Sequence, residues 1–159
     1  MESCRLIMLV GLPQSGKSTW AVQQNYPIVS PEAVGLTLYG QLFPVSAKPI
    51  TWAFAKVMVD ILFTAGHDTI ILDATNITRK GRDEWKSEKY ARYYKNMHTI
   101  HSSLDKTLLD INTVELCKER ARETCIDDAH YERLCKTIDR MADQIEPVNE
   151  EEEQIIPWG

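Results

Sequence analysis

Gly11, Gly16, Lys17 and Ser18 stand at the spacing G-x-x-x-x-G-K-S within Gly11-Leu-Pro-Gln-Ser-Gly-Lys-Ser-Thr19. Each residue type answers one need of phosphate chemistry. The glycines let the backbone wrap closely around an anion, and the amide N–H groups point inward at it. The lysine supplies a cation for the β- and γ-phosphates of a nucleoside triphosphate. The serine hydroxyl is a hard oxygen ligand for magnesium. Loop contacts with such a nucleotide are expected from Gly11, Pro13, Gln14, Ser15, Gly16, Lys17, Ser18 and Thr19. A second oxygen ligand follows in Ile70-Ile-Leu-Asp73, an apolar run ending in an acid. At the carboxyl end of a buried strand, the Asp73 carboxylate would hold magnesium beside the loop.

The flanking sequence supplies the elements that must position these groups. Arg5-Leu-Ile-Met-Leu-Val10 is short and apolar, as a strand buried on both faces requires, and residues 18–24 read as a helix ended by Asn25 and Pro27. Strand, loop, helix aims the positive end of the helix dipole at the phosphates. Residues 27–30 form a short strand. Ser30-Pro31 then caps a helix that runs to about Leu38 before Gly40. A loop at 41–48 precedes a long helix from Pro49 to Ala65, stopped by Gly66, with Trp52, Ala55, Val59 and Phe63 in the core. Residues 68–73 are the second strong strand. Thr78 caps a helix from Arg79 to about Tyr93, with Trp85 inward. Residues 97–102 and 106–111 are both strand-like, 114–123 and 128–145 are helical, and 154–158 are a short edge segment. Such alternation predicts parallel strands covered by helices.

With 159 residues the chain is expected to be one domain, acidic in its tail from 146 to 159. No apolar run approaches the roughly 20 residues of a membrane span, and no basic segment precedes an apolar one at the N-terminus. These features point to the cytoplasm, with Cys4, Cys117, Cys125 and Cys135 reduced and without metal spacing. His67, His98, His101 and His130 are scattered and carry no assignment. The net charge of −5 argues against a wholly basic nucleic-acid surface. Yet Arg79, Lys80, Arg82, Lys86, Lys89, Arg92 and Lys95 outnumber the acids among them, so a basic patch can coexist with the acidic total.

Asp73-Ala-Thr-Asn76, followed by Arg79, Arg82 and Trp85, extends the pattern. Together with the GLPQSGKSTWA loop, the chain over residues 5–145 resembles the small P-loop kinases related to the kinase domain of phage polynucleotide kinase. That resemblance implies a three-layer α/β sandwich around a mostly parallel sheet of four or five strands. It also implies transfer of the γ-phosphate of ATP, with magnesium, to a hydroxyl. The acceptor implied first is a nucleic-acid 5′-hydroxyl or a modified-base hydroxyl. A small molecule or nucleoside is the alternative acceptor, and a nucleotide-binding module without an acceptor is the alternative class. No guanine-specific N-K-x-D motif occurs.

By the same resemblance Glu32 takes the proton of the attacking hydroxyl, and Asn76 and Arg82 contact substrate. A lid over 114–130 brings Arg120 or Arg122 to the migrating phosphate. Those two arginines are two residues apart and cannot share one helical face, so one at most is expected there. Three positions depart from the family pattern: Glu32 replaces Asp, Gly35 replaces Arg, and Gln14 replaces Gly. A residue with a side chain at position 14 calls for negative φ.

Overall fold

The computed structural model describes residues 5–40, 44–86, 97–101 and 111–146, with only the backbone course given for 86, 97–101 and 111–113. The element order is β1 (Arg5–Val10), α1 (Lys17–Gln23), β2 (Ile28–Val29), α2 (Pro31–Tyr39), a 3-10 turn (Val45–Ala47) and α3 (Lys48–Thr64). There follow β3 (Thr69–Leu72), α4 (Arg79–Asp83) running into a 3-10 turn (Glu84–Lys86), β4 (Met97–His101), α5 (Ile111–Thr124) and α6 (Asp128–Gln144).

The four strands form one sheet in the order β2-β3-β1-β4, every pair parallel. Leu6 sits opposite Ile70 and Met8 opposite Leu72, while Val29 also pairs with Leu72. Parallel strands in register place all their carboxyl ends on one edge, so Gly11, Ser30 and Asp73 emerge together. Side chains alternate across β1 as the pleat demands. Leu6 and Met8 pack with Ala55, Val59 and Phe63 of α3, whereas Ile7 and Leu9 pack with Trp20 and Ala21 of α1. A helix on each face buries the sheet and makes the fold a three-layer α/β sandwich.

Local signals account for the helix boundaries. Ser30 Oγ accepts the amide of Ala33 at 3.2 Å, and Asp127 Oδ1 accepts that of His130 at 2.6 Å. At the end of α3, Gly66 adopts φ +98°, a conformation that costs glycine little. Its amide donates to Phe63 O, and that of His67 to Leu62 O. The buried stripe of α3 falls on Thr51, Ala55, Val59 and Phe63, and Trp52, half-buried, packs against the same core from its edge. Thr51 can stand inside because its hydroxyl donates to Lys48 O at 2.9 Å.

The helix read from Arg79 to Tyr93 is shorter within the described residues, tightening to 3-10 geometry at Glu84; its remainder lies outside them. Trp85 is inward, 1% exposed. Of the two strand-like runs after it, 97–101 joins the sheet beside β1, while Ile111 opens α5 and 106–110 lie outside the described residues. The tail segment 154–158 also lies outside them. Helices α5 and α6 form a hairpin over the loop after β1. Leu12 of that loop is buried among Cys117, Ala121 and Ile138, and Lys118 pairs with Asp139 at 2.7 Å across the hairpin. None of the described helices is long and apolar enough to cross a membrane.

Candidate active site

The loop between β1 and α1 closes through its own backbone. Gly11 N donates to Thr75 O at 3.0 Å, tying the loop to the segment after β3, and Ser15 N donates to Leu12 O. Gly16 caps α1 at φ +98°, where a side chain would be strained. Lys17 is 7% exposed, and its Nζ donates to Leu12 O at 2.6 Å and to Ser15 Oγ at 3.3 Å. Burial pushes the Lys17 ammonium below its ordinary value, opposed first by Asp73, then by Cys117, then by Glu32. A phosphate group in the loop would remove the desolvation cost by giving the ammonium an anion.

Ser18 Oγ donates to Asp73 Oδ2 at 2.6 Å. Two hard oxygen ligands thus stand side by side, one charged, at the mouth of the loop. This donor set fits magnesium, which keeps several waters and takes few protein ligands. Glu32 is exposed in the first turn of α2, on the same sheet edge. Pro13, Ser15 and Gly16 are half-buried along the loop and Thr19 is exposed at the start of α1.

Of the two arginines on α5, the structure brings Arg120 to the loop and turns Arg122 away. Arg120 Nη1 donates to Gln14 O at 3.2 Å, whereas the Arg122 guanidinium lies 4.3 Å from the centre of the Tyr131 ring. Cys117, one turn before Arg120 and buried, has its thiol pushed up by burial, with Lys17 and then Arg120 acting against the shift.

Two expectations, those for Gln14 and Arg82, need correction, and Asn76 gains a second role. Gln14 has φ 66°, not the negative value expected, because the loop needs a left-handed residue there. Arg82 is fully buried rather than directed at a substrate: Nη1 donates to Asn76 O at 2.9 Å and Nη2 to Glu146 O at 3.1 Å. Asn76 is 7% exposed, and its Nδ2 donates to Leu9 O at 2.7 Å, so its amide ties the end of β1 to the segment after β3. Arg82 supports the site from inside the fold, whereas Asn76 also lines the cavity between the start of α3 and residues 75–85.

Sequence reasoning missed the cleft beside this edge. A cavity of about 570 Å³ opens between the start of α3 and residues 75–85, lined by Lys48, Trp52, Lys56, Thr75, Ile77 and Trp85 among others. The Trp52 and Trp85 rings stand 6.2 Å apart, tilted, and Lys56 Nζ lies 5.8 Å from the Trp85 ring centre. The half-buried Trp52, read only as core, was the signal that could have revealed it. Thr124 and Glu146 were missed as well. Thr124 meets Gln14 across the loop, and Glu146 anchors the end of α6 on Arg79 N and Ile77 O.

A phosphate-binding loop at the carboxyl edge of a parallel sheet, with helices on both faces and a helical hairpin above, defines a P-loop kinase-like domain. The chain belongs to the AAA domain family, whose model matches residues 6–147. No curated protein matches its sequence. Among solved structures it is similar to a chain of the Pnkp1/Rnl/Hen1 complex, at 21% identity and TM-score 0.60, covering 80% of this chain and 42% of that one. It therefore spans about two-fifths of that chain's length. It is also similar to a gluconokinase from Sinorhizobium meliloti 1021, at 13% identity and TM-score 0.54, over 98% of this chain and 82% of the other. Kti12 of Chaetomium thermophilum, solved in complex with ADP-AlF3, matches at 19% identity and TM-score 0.55 over 96% and 89%.

Proposed function

We propose that this protein is an ATP- and magnesium-dependent kinase that transfers the γ-phosphate to an alcohol hydroxyl. The observation that carries this reading is the gathering of Lys17, the Ser18–Asp73 pair and Glu32 on one sheet edge, with Arg120 bonded to the phosphate loop. Loop amides and Lys17 hold the β- and γ-phosphates, and residues 114–130 serve as the lid. Ser18 and Asp73 hold magnesium, which when bound offsets the charge on the phosphate oxygens. Glu32 accepts the proton of the acceptor hydroxyl as its oxygen bonds to the γ-phosphorus. The bond from that phosphorus to the β,γ-bridging oxygen breaks, and ADP leaves. Arg120 exchanges a carbonyl for the oxygens of the migrating group.

The cleft beside Thr75 supports a kinase over a nucleotide-binding switch, because a phosphoryl acceptor needs a place to sit. Its volume lies in the range of small-ligand sites. For the acceptor we propose a nucleic-acid 5′-hydroxyl or a modified-base hydroxyl. The burial of Arg82 removes one cation from the surface such a strand would touch, and this favours a small metabolite or nucleoside as the second reading. We assign the activity to one domain working in the cytoplasm.

Incubation with γ-labelled ATP, magnesium and a panel of DNA and RNA 5′ ends, nucleosides and sugar acids tests the proposal. Label in one acceptor class, dependent on Lys17, is expected. Release of labelled inorganic phosphate alone, unaffected by every acceptor, would remove the kinase reading in favour of an NTPase.

A further inference from the structure

We propose that Gln14 is the positioning residue for Arg120, holding it over the phosphate loop before a nucleotide arrives. The inference rests on the nucleotide-binding half of the reading above. Gln14 touches α5 through both of its halves. Its backbone oxygen accepts from Arg120 Nη1 at 3.2 Å, and its side-chain Nε2 donates to Thr124 Oγ1 at 3.2 Å. Arg120 and Thr124 are four residues apart and share one helical face, so the two bonds grip a single turn of α5. The Thr124 hydroxyl donates to Ala121 O at 3.2 Å, which leaves its lone pairs for the Gln14 amide. Leu12, two residues before Gln14, is buried against Cys117 and Ala121, so the loop and α5 are packed together as well as bonded.

The backbone at Gln14 indicates that the side chain is there for a purpose. At φ 66° an L-residue is strained, and glycine would hold the same loop shape without that cost. Glycine, however, has no amide to reach Thr124. When phosphate enters the loop, Arg120 can leave the Gln14 carbonyl for a phosphate oxygen. The bond from Nε2 to Thr124 persists and keeps α5 within reach. Gln14 therefore spares the ordering of a free arginine helix at the moment when charge is migrating.

This role predicts weaker binding of a transition-state mimic without a matching loss of stability. The test measures three quantities on the full chain: the melting temperature of the nucleotide-free protein, the Kd for ADP, and the Kd for ADP with aluminium fluoride and magnesium. Gln14→Gly is expected to melt within about 2 °C of wild type, since relief of the φ 66° strain offsets the lost bond to Thr124. It should bind the fluoroaluminate complex about fivefold more weakly than wild type, the worth of one net hydrogen bond. Thr124→Val, outside the phosphate loop, should weaken the fluoroaluminate complex to the same degree while binding ADP within about twofold of wild type, and Thr124→Ser should restore the wild-type value. The double variant should be no worse than Gln14→Gly alone, because both changes remove one interaction. Wild-type or tighter fluoroaluminate binding by Gln14→Gly would overturn the proposal. So would an equal loss for both ligands with a lower melting temperature, which would make Gln14 only a loop support. If wild type itself binds neither ligand, the nucleotide reading falls and this inference with it.

Discussion

Replacing Arg82 by lysine separates a structural role from a substrate-binding one, because lysine keeps the charge and loses the fork. The Arg82 side chain is fully buried and joins two carbonyls from distant parts of the chain, Asn76 O at 2.9 Å and Glu146 O at 3.1 Å. Hydrogen bonds from a charged donor contribute about 1.5–3 kcal/mol each. Deleting both with Arg82→Ala, and leaving their carbonyls unsatisfied, should cost about 3–5 kcal/mol. That is a large share of the roughly 5–15 kcal/mol that holds a domain of this kind together. For this chain length it corresponds to a fall in melting temperature on the order of 10 °C. Arg82→Lys can satisfy one carbonyl and should lose about half as much. Thermal unfolding followed by circular dichroism reads the effect, and titration with a single-stranded oligonucleotide at several salt concentrations reads any surface role. A buried clamp leaves the salt slope of the folded Arg82→Lys protein unchanged. If Arg82→Lys melts as wild type while Arg82→Ala loses only oligonucleotide affinity with a shallower salt slope, the residue faces nucleic acid and the burial argument is wrong.

Lys17→Met should abolish nucleotide binding by isothermal calorimetry without lowering the melting temperature of the empty protein, because it removes an ammonium that burial already disfavours. The Lys17 pKa is lowered from 10.5, so the unfolded chain binds the extra proton between that lowered value and 10.5. Wild-type stability therefore gains on Lys17→Met as pH rises through that window, and an advantage of the variant that widens with pH would contradict the sign. Asp73→Asn should raise the magnesium concentration needed for half-maximal turnover by about tenfold or more, since the amide loses the charge facing Ser18. A magnesium dependence identical to wild type would make Asp73 only the end of β3.

The parts of the site carried by contiguous residues were legible in the sequence. The loop from Gly11 to Thr19, the acid ending β3 and the cap at Ser30 are local patterns, and the buried strands follow from their apolar runs. What escaped depends on partners far along the chain. An arginine in a short polar helix reads as surface, and partners such as Glu146 O, 64 residues later, give Arg82 a reason to be inside. Asn76 was read for ligand contact alone, and only the folded chain shows that its amide also holds Leu9 O, 67 residues away, while the residue lines the cleft. The left-handed backbone at Gln14 and the bond to Thr124 are likewise invisible without the approach of α5 to the loop. Trp52 fitted the helical stripe of α3, but the wall of a cleft and the edge of a core share the same period.

Glu32 distinguishes a kinase from a domain that only holds or hydrolyses a nucleotide, so its substitution tests the central claim most directly. Single-turnover transfer from γ-labelled ATP to the acceptor identified in the panel should be compared for wild type and Glu32→Gln, with ATP affinity measured on the same proteins. If Glu32 takes the proton of the acceptor hydroxyl, ATP affinity stays within about twofold while transfer falls by about 10²-fold or more, the scale of a positioned base. Glu32→Asp, with the shorter acid of related kinases, should keep part of the rate. Transfer by Glu32→Gln at the wild-type rate, with ATP bound normally, would contradict the account and move the search for the group that orients the hydroxyl to Asp73.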